Sequence, residues 1–249
     1  FFTVSTSGNS GMKNDFLNNF KYLDKSKKEK FVSQIFSNVA DNYDLMNDLM
    51  SFGLHKSWKE KLISLIDVED QSYVLDLASG SGDLTVLLKN RVDCNCLIYD
   101  SNIKMLQKAK KKVKNAQIIC GYAEKLPFKK ESFDYVMVAF GLRNFSDLDQ
   151  SLREVWRVLK KNGFFLCLEF SEINNFFIRD LFNLYGKIIP RYAGFFLNQR
   201  MAYNYLIESI KQFPNQAELS GKLKRHRYSN IKVIDIIDGL ASIHIAQKK

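Results

Sequence analysis

VLDLASGSGDL, from Val74 to Leu84, runs from an apolar strand pattern through a turn of small residues into the start of a helix. Gly80 and Gly82 allow a ligand to approach the backbone closely, and the first turn of a helix presents free N–H groups. Asp76, near the end of the strand, is predicted to orient the turn by accepting its N–H hydrogen bonds. A tight turn that binds nothing would contain the same glycines, so the rest of the chain has to decide between the two interpretations.

Beyond this turn the chain alternates short apolar runs with helical patterns. Strands separated by helices form parallel βαβ units, and Asp238-Gly239 is predicted to join the last two strands as an antiparallel hairpin. Ser101 and Ser146 are predicted to cap two of the helices. We predict an α/β fold with a doubly wound, mostly parallel, Rossmann-like sheet of seven strands. The predicted strands are residues 73–78, 96–99, 117–120, 133–140, 163–170, 231–237 and 241–246.

The chain is predicted to form a single domain over residues 31–249, preceded by a partly flexible N-terminal arm over residues 1–30. Between residues 16 and 37 the apolar side chains recur at helical spacing, which indicates an amphipathic helix that docks on the domain. Residues 174–213, approximately, are rich in aromatic side chains and interrupt the alternation of strand and helix. We interpret this segment as a helical insertion that covers the substrate.

Composition narrows the classes of function. The formal net charge is +10 and the pI about 9.3, which is compatible with nucleic acid, an anionic membrane surface or an acidic partner. The lysines are scattered and no nucleic-acid-binding motif is visible, so no nucleic-acid partner is expected. The four cysteines lack the spacing of metal ligands, and we expect no metal site and a reducing, intracellular environment.

An acidic residue follows the second predicted strand at the position that suits an adenosyl ligand. Asp100 lies about twenty residues beyond the glycine turn, where a carboxylate can accept hydrogen bonds from both ribose hydroxyls. A dinucleotide enzyme would use the same arrangement, but its turn favours the spacing GxGxxG. Here Gly82 is followed by Asp83, whose charge would repel a phosphate and suit a sulfonium. We therefore favour S-adenosylmethionine over NAD as the cofactor.

Three longer stretches resemble one family of enzymes. YDLMNDLMSFGLHKSW (43–58), RVLKKNGFFLCLEFS (157–171) and YLIESIKQFPNQAEL (205–219) are similar to segments of the ubiquinone/menaquinone biosynthesis C-methyltransferases. The resemblance extends from about Phe31 to the end of the sequence. It implies a class I methyltransferase fold and the methylation, by S-adenosylmethionine, of a ring carbon of a polyprenylated quinol. The sequence does not decide between a 2-methoxy-6-polyprenyl-1,4-benzoquinol and a demethylmenaquinol.

The resemblance also implies roles for individual residues in binding the cofactor. It assigns the cofactor site to Ser81, Asp100, Tyr122, Ala123 and Ala139, in addition to the glycines of the turn. Tyr122 stands where the family commonly has asparagine, so we expect its ring to pack against the adenine in place of a side-chain hydrogen bond.

Arg143 and Asn144, in the sequence FGLRN, are the catalytic residues that the resemblance implies. Because an arginine is not readily deprotonated, we expect Arg143 to stabilise a developing phenolate and Asn144 to hold the ring oxygen or a water. His55 and Asp44 are alternative proton acceptors, although a packed or capping role is favoured for His55. Tyr43, Met46 and Asn47 are predicted to form a lid over the ring.

A second hypothesis from another functional class stays open, namely an inactive scaffold subunit of a quinone-synthesis complex. The expected partners are the quinol, an anionic membrane surface, such a complex and a second copy of the chain. The expected location is the bacterial cytoplasm, peripheral to the inner membrane, or the mitochondrial matrix beside its inner membrane.

Overall fold

The computed structural model describes residues 25–39, 47–48, 51–180, 182, 184 and 200–249. Within these ranges, the side chains of residues 25, 26, 28, 39, 200 and 201 are not described. The predicted arm up to residue 24, the lid residues Tyr43 and Met46, Asp44, and most of the predicted cover between residues 181 and 199 lie outside the described residues.

The described residues form the predicted seven-stranded, doubly wound sheet, and this prediction is confirmed. The strand order is β3-β2-β1-β4-β5-β7-β6, in which β1 to β5 are mutually parallel. The hairpin partner β7 runs antiparallel between β5 and β6. The strands are β1 Tyr73–Leu77, β2 Asn95–Asp100, β3 Gln117–Cys120, β4 Phe133–Ala139, β5 Leu159–Phe170, β6 Tyr228–Ile236 and β7 Ala241–Lys248.

Seven helices are described in full, together with a 3-10 turn at Leu142–Asn144 after β4. The first helix crosses residue 30, where the sequence analysis places the boundary between arm and domain. The helices are α1 Lys25–Val39, α2 His55–Ser64, α3 Asp83–Lys89, α4 Ile103–Lys112, α5 Leu148–Val158, α6 Arg200–Gln212 and α7 Gln216–Arg225.

The core has two layers because successive strand residues face opposite sides of the sheet. On one side Met137, Leu166 and Leu168 pack with α1, α2, α3 and α6. On the other side Val136 and Val138, with Phe165 and Cys167, pack with α5 and α7. Each fully buried aliphatic side chain contributes about 1.5–3 kcal/mol to folding. The sheet is therefore held rigidly, and its strand ends are well placed to carry a site.

Two predicted helix caps are wrong by one residue. Asn102, not Ser101, caps α4, because its side chain accepts hydrogen bonds from the backbone N–H groups of Lys104 and Met105. Asp147, not Ser146, caps α5. In both cases the residue after the serine supplies the capping oxygen, although serine is about as good a cap, and the Ser146 hydroxyl makes a tertiary contact with Glu124.

Candidate functional site

A cleft opens at the carboxyl ends of the parallel strands. It is lined by the segments around Gly80, Asp100, Ala123 and Asn144 and by one side of helix α1, and it contains about 730 Å³ of empty space, its mouth included. The lining belongs to β1, β2 and the loops after β3 and β4, where ligands bind in doubly wound sheets. We call this space the central cleft.

Asp100 joins the end of β2 to the glycine turn. One carboxylate oxygen, Oδ2, accepts a hydrogen bond from the Gly80 backbone N–H at 2.8 Å, and Oδ1 accepts one from the Asn102 N–H at 2.8 Å. Burial raises the pKa of Asp100, which opposes its ionisation. Each oxygen retains acceptor capacity towards the central cleft, which Asp100 lines. The structure thus places Asp100 beside the glycine turn, as predicted.

The floor of the central cleft contains two residues in a backbone conformation that side chains rarely adopt. Ala78 after β1 has φ +54° and Phe140 after β4 has φ +58°. Gly141 lies between them in space, and a Cβ there would stand 2.6 Å from the Cβ of Ala78. The two strand ends can approach this closely only because residue 141 is glycine. Backbone strain of this kind clusters at functional sites.

Asp76 does not orient the glycine turn as the sequence analysis predicts. Its carboxylate accepts hydrogen bonds from the Thr85 N–H at 3.2 Å and the Thr85 hydroxyl at 2.7 Å, within helix α3. Asp76 is buried and is not part of the described lining of the central cleft. It secures the start of α3 to β1, while Asp100 holds the turn.

Ser81 and Gly82 also fall outside the described lining of the central cleft. The Ser81 hydroxyl donates to Asp83 Oδ1 at 3.2 Å. Gly82 is the N-cap residue of α3 with φ +80°, and a Cβ there would lie 3.3 Å from Ala109 of helix α4 and from Val113, which follows that helix. Gly82 is therefore required for helix packing, whereas Gly80 is the glycine that lines the cleft.

Asp83 does not leave a free negative charge for the cofactor. Its carboxylate pairs with Lys59 of α2 at 2.5 Å and with Lys112 of α4. These two cations hold its pKa well below the ordinary value even though burial opposes this. The argument that Asp83 selects a sulfonium is therefore wrong, because its charge is neutralised within the protein.

Tyr122 and Ala123, after β3, both line the central cleft. Tyr122 keeps 44% of its surface exposed, so its ring is accessible to a ligand. The Tyr99 hydroxyl donates to the Tyr122 carbonyl oxygen at 3.2 Å and holds this loop in place. Ala139 is absent from the described lining, where its neighbours Phe140 and Gly141 take its place.

Helix α1 forms a wall of the central cleft through Glu29, Val32, Ser33 and Phe36, none of which was predicted to lie at the site. The amphipathic pattern indicates a docked helix but does not indicate what it docks on. Beside this wall, the Ser146 hydroxyl donates at 3.0 Å to Glu29 and at 2.6 Å to Glu124. All three residues line the cleft, so this end of it is negatively charged.

Arg143 lies under the cleft in a buried ion pair and does not belong to its described lining. Its Nη1 donates to Glu169 Oε1 at 2.5 Å and to the Phe140 carbonyl oxygen at 2.7 Å, and its backbone N–H donates to Glu169 Oε2 at 3.3 Å. Among the described residues, its Nε finds no hydrogen-bond partner. Glu169 thus neutralises the positive charge of Arg143, which we expected to stabilise a phenolate. In the sequence, Glu169 stands out as the single acidic residue of the apolar run FFLCLEF, and this could have identified it as the partner of a buried cation.

Asn144 lines the central cleft, as expected for a residue that contacts a ligand. Its Oδ1 accepts a hydrogen bond from the Tyr205 hydroxyl of α6 at 2.7 Å, and its Nδ2 lies 3.4 Å from the Phe140 carbonyl oxygen. Tyr205 belongs to the third family-like stretch, but spacing alone gave no reason to pair it with Asn144.

His55 and Asn47 lie outside the described lining of the central cleft. His55 Nε2 is 3.0 Å from Asp48 Oδ1, and its backbone N–H donates to the Ser51 hydroxyl at 3.1 Å. Burial lowers the pKa of His55. The packed position favours the structural interpretation of this histidine. Asn47 is also buried, and its Nδ2 finds no partner among the described residues.

The residues that the structure brings together suit S-adenosylmethionine. The partly buried Asp100 carboxylate beside the Gly80 backbone matches a ribose diol, and Tyr122 with Ala123 matches an adenine ring. The carboxylates of Glu29 and Glu124 match a positively charged ligand. These donors and acceptors fit the cofactor even though Asp83, on which the sequence argument relied, is not among them.

Comparison with known proteins agrees with this fit. The model of the ubiE/COQ5 methyltransferase family matches residues 23–248. A relative from Rickettsia felis, named ubiquinone/menaquinone biosynthesis C-methyltransferase UbiE, is 41% identical over 241 residues, which is 92% of this chain and 97% of the relative.

Two solved structures share the fold at low sequence identity. A methyltransferase from Thermotoga maritima, described as a possible histamine N-methyltransferase, superposes with a TM-score of 0.64 at 18% identity, covering 87% of this chain and 99% of that one. An S-adenosylmethionine-dependent methyltransferase from Aquifex aeolicus has a TM-score of 0.59 at 16% identity, covering 91% and 100%. With the fold, the cleft and the family match in agreement, the chain belongs to the ubiE/COQ5 methyltransferase family and is an S-adenosylmethionine-dependent C-methyltransferase.

Proposed function

We propose that this chain methylates a ring carbon of a polyprenylated quinol, either a 2-methoxy-6-polyprenyl-1,4-benzoquinol or a demethylmenaquinol. The substrate class follows from the name of the relatives, which refers to ubiquinone and menaquinone biosynthesis. The observation that carries the proposal is that one cleft is lined both by Asp100, suited to the cofactor, and by Asn144, suited to an oxygen of the ring. No observation favours the alternative of an inactive scaffold.

When bound, S-adenosylmethionine supplies an electrophilic methyl group on a positively charged sulfur. Asp100 would accept hydrogen bonds from the ribose hydroxyls, the Gly80 backbone would face the adenosyl group, and the Tyr122 ring would pack on the adenine. Glu29 and Glu124 would complement the positive charge. Much of the rate enhancement of a displacement reaction comes from holding the two reactants in line, which is what these contacts provide.

Methylation on carbon requires an electron-rich ring, which a phenolate provides. Because a phenol has a pKa near ~10, donors that stabilise the oxygen anion help more than a strong base. Asn144 can donate an N–H to that oxygen. Arg143 is already neutralised by Glu169, so we assign it to holding the turn from Phe140 to Asn144 as a positioning residue.

The test is methyl transfer by the purified chain to each quinol, presented with a short prenyl tail in detergent under reducing conditions. Product is detected by mass spectrometry as a quinone heavier by one methylene group. The variant Asp100→Asn is expected to raise the KM for S-adenosylmethionine at least ~10-fold, because it removes a charged acceptor. Asp134→Asn, a carboxylate at the opposite end of the sheet, is the matched control. Absence of product from both quinols would contradict the proposal.

We also propose that the protein binds the surface of an anionic membrane, from which a polyprenylated substrate has to be taken. Two observations support this. The net charge is +10, and Phe176 and Phe177 are 54% and 70% exposed on the segment beside Arg179. Aromatic side chains next to basic ones suit a lipid interface. No described helix is long and apolar enough to cross a bilayer.

Flotation with anionic vesicles measures this binding. The double variant Phe176→Ser and Phe177→Ser is expected to float less than the parent, and binding of the parent is expected to weaken at high salt. Val233→Ser, which removes an exposed apolar side chain from β6, is the control and should float like the parent. Equal flotation of all three proteins would remove the membrane proposal.

A further inference from the structure

Tyr205 contacts a residue of the central cleft, and the proposed chemistry gives this contact no role. Its hydroxyl donates to Oδ1 of Asn144 at 2.7 Å, and Asn144 lines the cleft. Tyr205 itself is not in the described lining and is only 1% exposed. Its hydroxyl therefore acts on a ligand through Asn144.

The carbonyl oxygen of Phe140 determines which end of the Asn144 amide faces Tyr205. A carbonyl oxygen only accepts hydrogen bonds, so the neighbouring amide atom at 3.4 Å has to be Nδ2. Oδ1 is then the atom that faces the tyrosine, and the Tyr205 hydroxyl is the donor. One N–H of Nδ2 faces Phe140, and the second has no acceptor among the described residues. That second N–H is available to a ligand in the cleft.

Tyr205 is itself fixed in place by the helix that walls the cleft. The rings of Phe31 and Phe36, on α1, meet the Tyr205 ring edge-on with centroids 5.8 Å and 6.5 Å away. Burial raises the pKa of Tyr205 above the ordinary value, so the hydroxyl keeps its proton and remains a donor. The orientation of Asn144 is thus linked through one aromatic contact to the docking of α1.

We propose that Tyr205 is a positioning residue, which holds the Asn144 amide so that its free N–H faces an anionic oxygen of the bound ligand. The inference rests on the proposed function and extends it to the third family-like stretch of the sequence. The oxygen belongs either to the ionised ring hydroxyl of the quinol or to the carboxylate of the methionine part of the cofactor. Without the tyrosine the amide can rotate and present its own oxygen, which repels an anion.

A double-mutant cycle on methyl transfer tests the proposal. Tyr205→Phe removes only the hydroxyl and retains the ring contacts, and a tenfold loss of kcat/KM is expected, about that of one hydrogen bond. Asn144→Ala should lose ~100-fold, as for loss of one preorganised donor. Asn144→Asp keeps an acceptor for Tyr205 and lacks the N–H, so a similar loss is expected.

The diagnostic outcome is that Tyr205→Phe combined with Asn144→Ala is no slower than Asn144→Ala alone, within about twofold. Multiplied losses, or full activity of Tyr205→Phe, would overturn the proposal, since a purely structural role predicts independent effects. Calorimetric binding of S-adenosylhomocysteine distinguishes the two oxygens. Its affinity falls in Asn144→Ala if the partner is the carboxylate, and is unchanged if it is the ring oxygen.

A second measurement does not require any turnover. The side-chain NH₂ signals of Asn144 in ¹⁵N-asparagine-labelled protein are identified by their absence in Asn144→Ala. They should shift and exchange faster with solvent in Tyr205→Phe, because the amide is no longer held. Unchanged signals would overturn the positioning role even if quinol methylation is found. Altered signals with no methylation of either quinol would instead contradict the proposed function alone.

Discussion

Arg143 and Glu169 form an ion pair whose side chains are only 3% and 1% exposed. Removing one member of such a pair leaves the other charge buried without a partner, which is far more unfavourable than losing an exposed pair. Burial also raises the pKa of Glu169, and the guanidinium opposes that rise. The stability of the turn that carries Asn144 therefore depends on both charges being present.

We expect Glu169→Gln to lower the free energy of unfolding by roughly 3–5 kcal/mol, measured by urea denaturation. Lys160→Gln, which breaks the half-exposed pair with Asp134, is the control and should lower it by less than about 1 kcal/mol. Equal effects of the two substitutions would show that the buried pair contributes no more to stability than the more exposed pair.

Asp76 predicts a dependence of stability on pH. Burial raises its pKa from 3.8 to about 7, although two hydrogen bonds from Thr85 oppose the shift. Between pH 4 and 7, approximately, the folded protein retains a proton that the unfolded chain has released. This contribution to stability is complete below the unfolded pKa and is lost as the pH rises through the folded pKa.

Asp76→Asn cannot titrate, so it isolates this contribution. The free energy of unfolding of the parent minus that of Asp76→Asn should fall as the pH rises from 4 to 8. The slope is at most about 1.4 kcal/mol per pH unit. Denaturation curves collected across this range provide the measurement. Parallel pH profiles of the two proteins would mean that Asp76 ionises at its ordinary pKa.

Among individual residues, those that line the cleft were predicted best where they lie at the end of a strand or just after it. Asp100, Tyr122, Ala123 and Asn144 line the cleft for that reason. The partners that neutralise a charge were not predictable, because Asp83 meets Lys59 from a helix 24 residues away in the chain. The local sequence pattern indicates where a charged residue lies, but tertiary contacts decide whether its charge can interact with a ligand.

At the scale of elements, Asn102 joins two helices. It caps α4, and its Nδ2 donates to the Ser33 carbonyl oxygen at 3.2 Å and to the Ser37 hydroxyl at 3.0 Å, both on α1. Asn215 caps α7 in a capping box and has no such contact with α1. Asn215 is therefore a suitable control for substitutions of Asn102.

Asn102→Ala and Asn215→Ala should each lower the free energy of unfolding by about 1 kcal/mol, the usual effect of a lost cap. Only Asn102→Ala should accelerate backbone hydrogen exchange in residues 25–39, because only it releases α1 from α4. Peptide-resolved exchange with mass detection provides the measurement. Unchanged exchange in α1 would show that its other contacts are sufficient to hold it.

The element boundaries show where local pattern is insufficient. Serine followed by asparagine or aspartate offers two caps, and the structure uses the second at both Asn102 and Asp147. Strand β5 begins at Leu159, four residues earlier than predicted, because Leu159 pairs with Phe133 across a register shift. Pairing of this kind depends on a distant strand and leaves no periodic signal.

For the whole molecule, the central cleft is shared by four strand ends and α1, so a ligand there should stabilise the domain as one unit. S-adenosylhomocysteine at 100 times its Kd should add about 2.7 kcal/mol to the free energy of unfolding. That corresponds to a rise in Tm of roughly 5–10 °C for a chain of this size. Asp100→Asn should show a much smaller rise at the same concentration in a thermal shift assay. The same rise in both proteins would remove Asp100 from the binding site.

The fold class was predictable because each parallel strand is a short apolar run followed by a helix, as Tyr73–Leu77 is followed by Asp83–Lys89. The order of the strands was not predicted, and nothing in the hairpin pattern indicates that β7 inserts between β5 and β6. The wall formed by α1 was missed for a similar reason, because an amphipathic helix does not encode the surface that receives it.

The packing of Trp58 gives the protein an optical reporter of its own site. The chain has two tryptophans, and the buried indole of Trp58 lies 6.3 Å from the ring of Phe140, a residue of the cleft. Trp156 is elsewhere, with Arg227 and Lys248 over its ring. In a Trp156→Phe background, with excitation at a wavelength that only tryptophan absorbs, the emission would come from the indole beside the cleft. Occupancy of the cleft could then be followed by fluorescence quenching in a stopped-flow instrument, without any added dye.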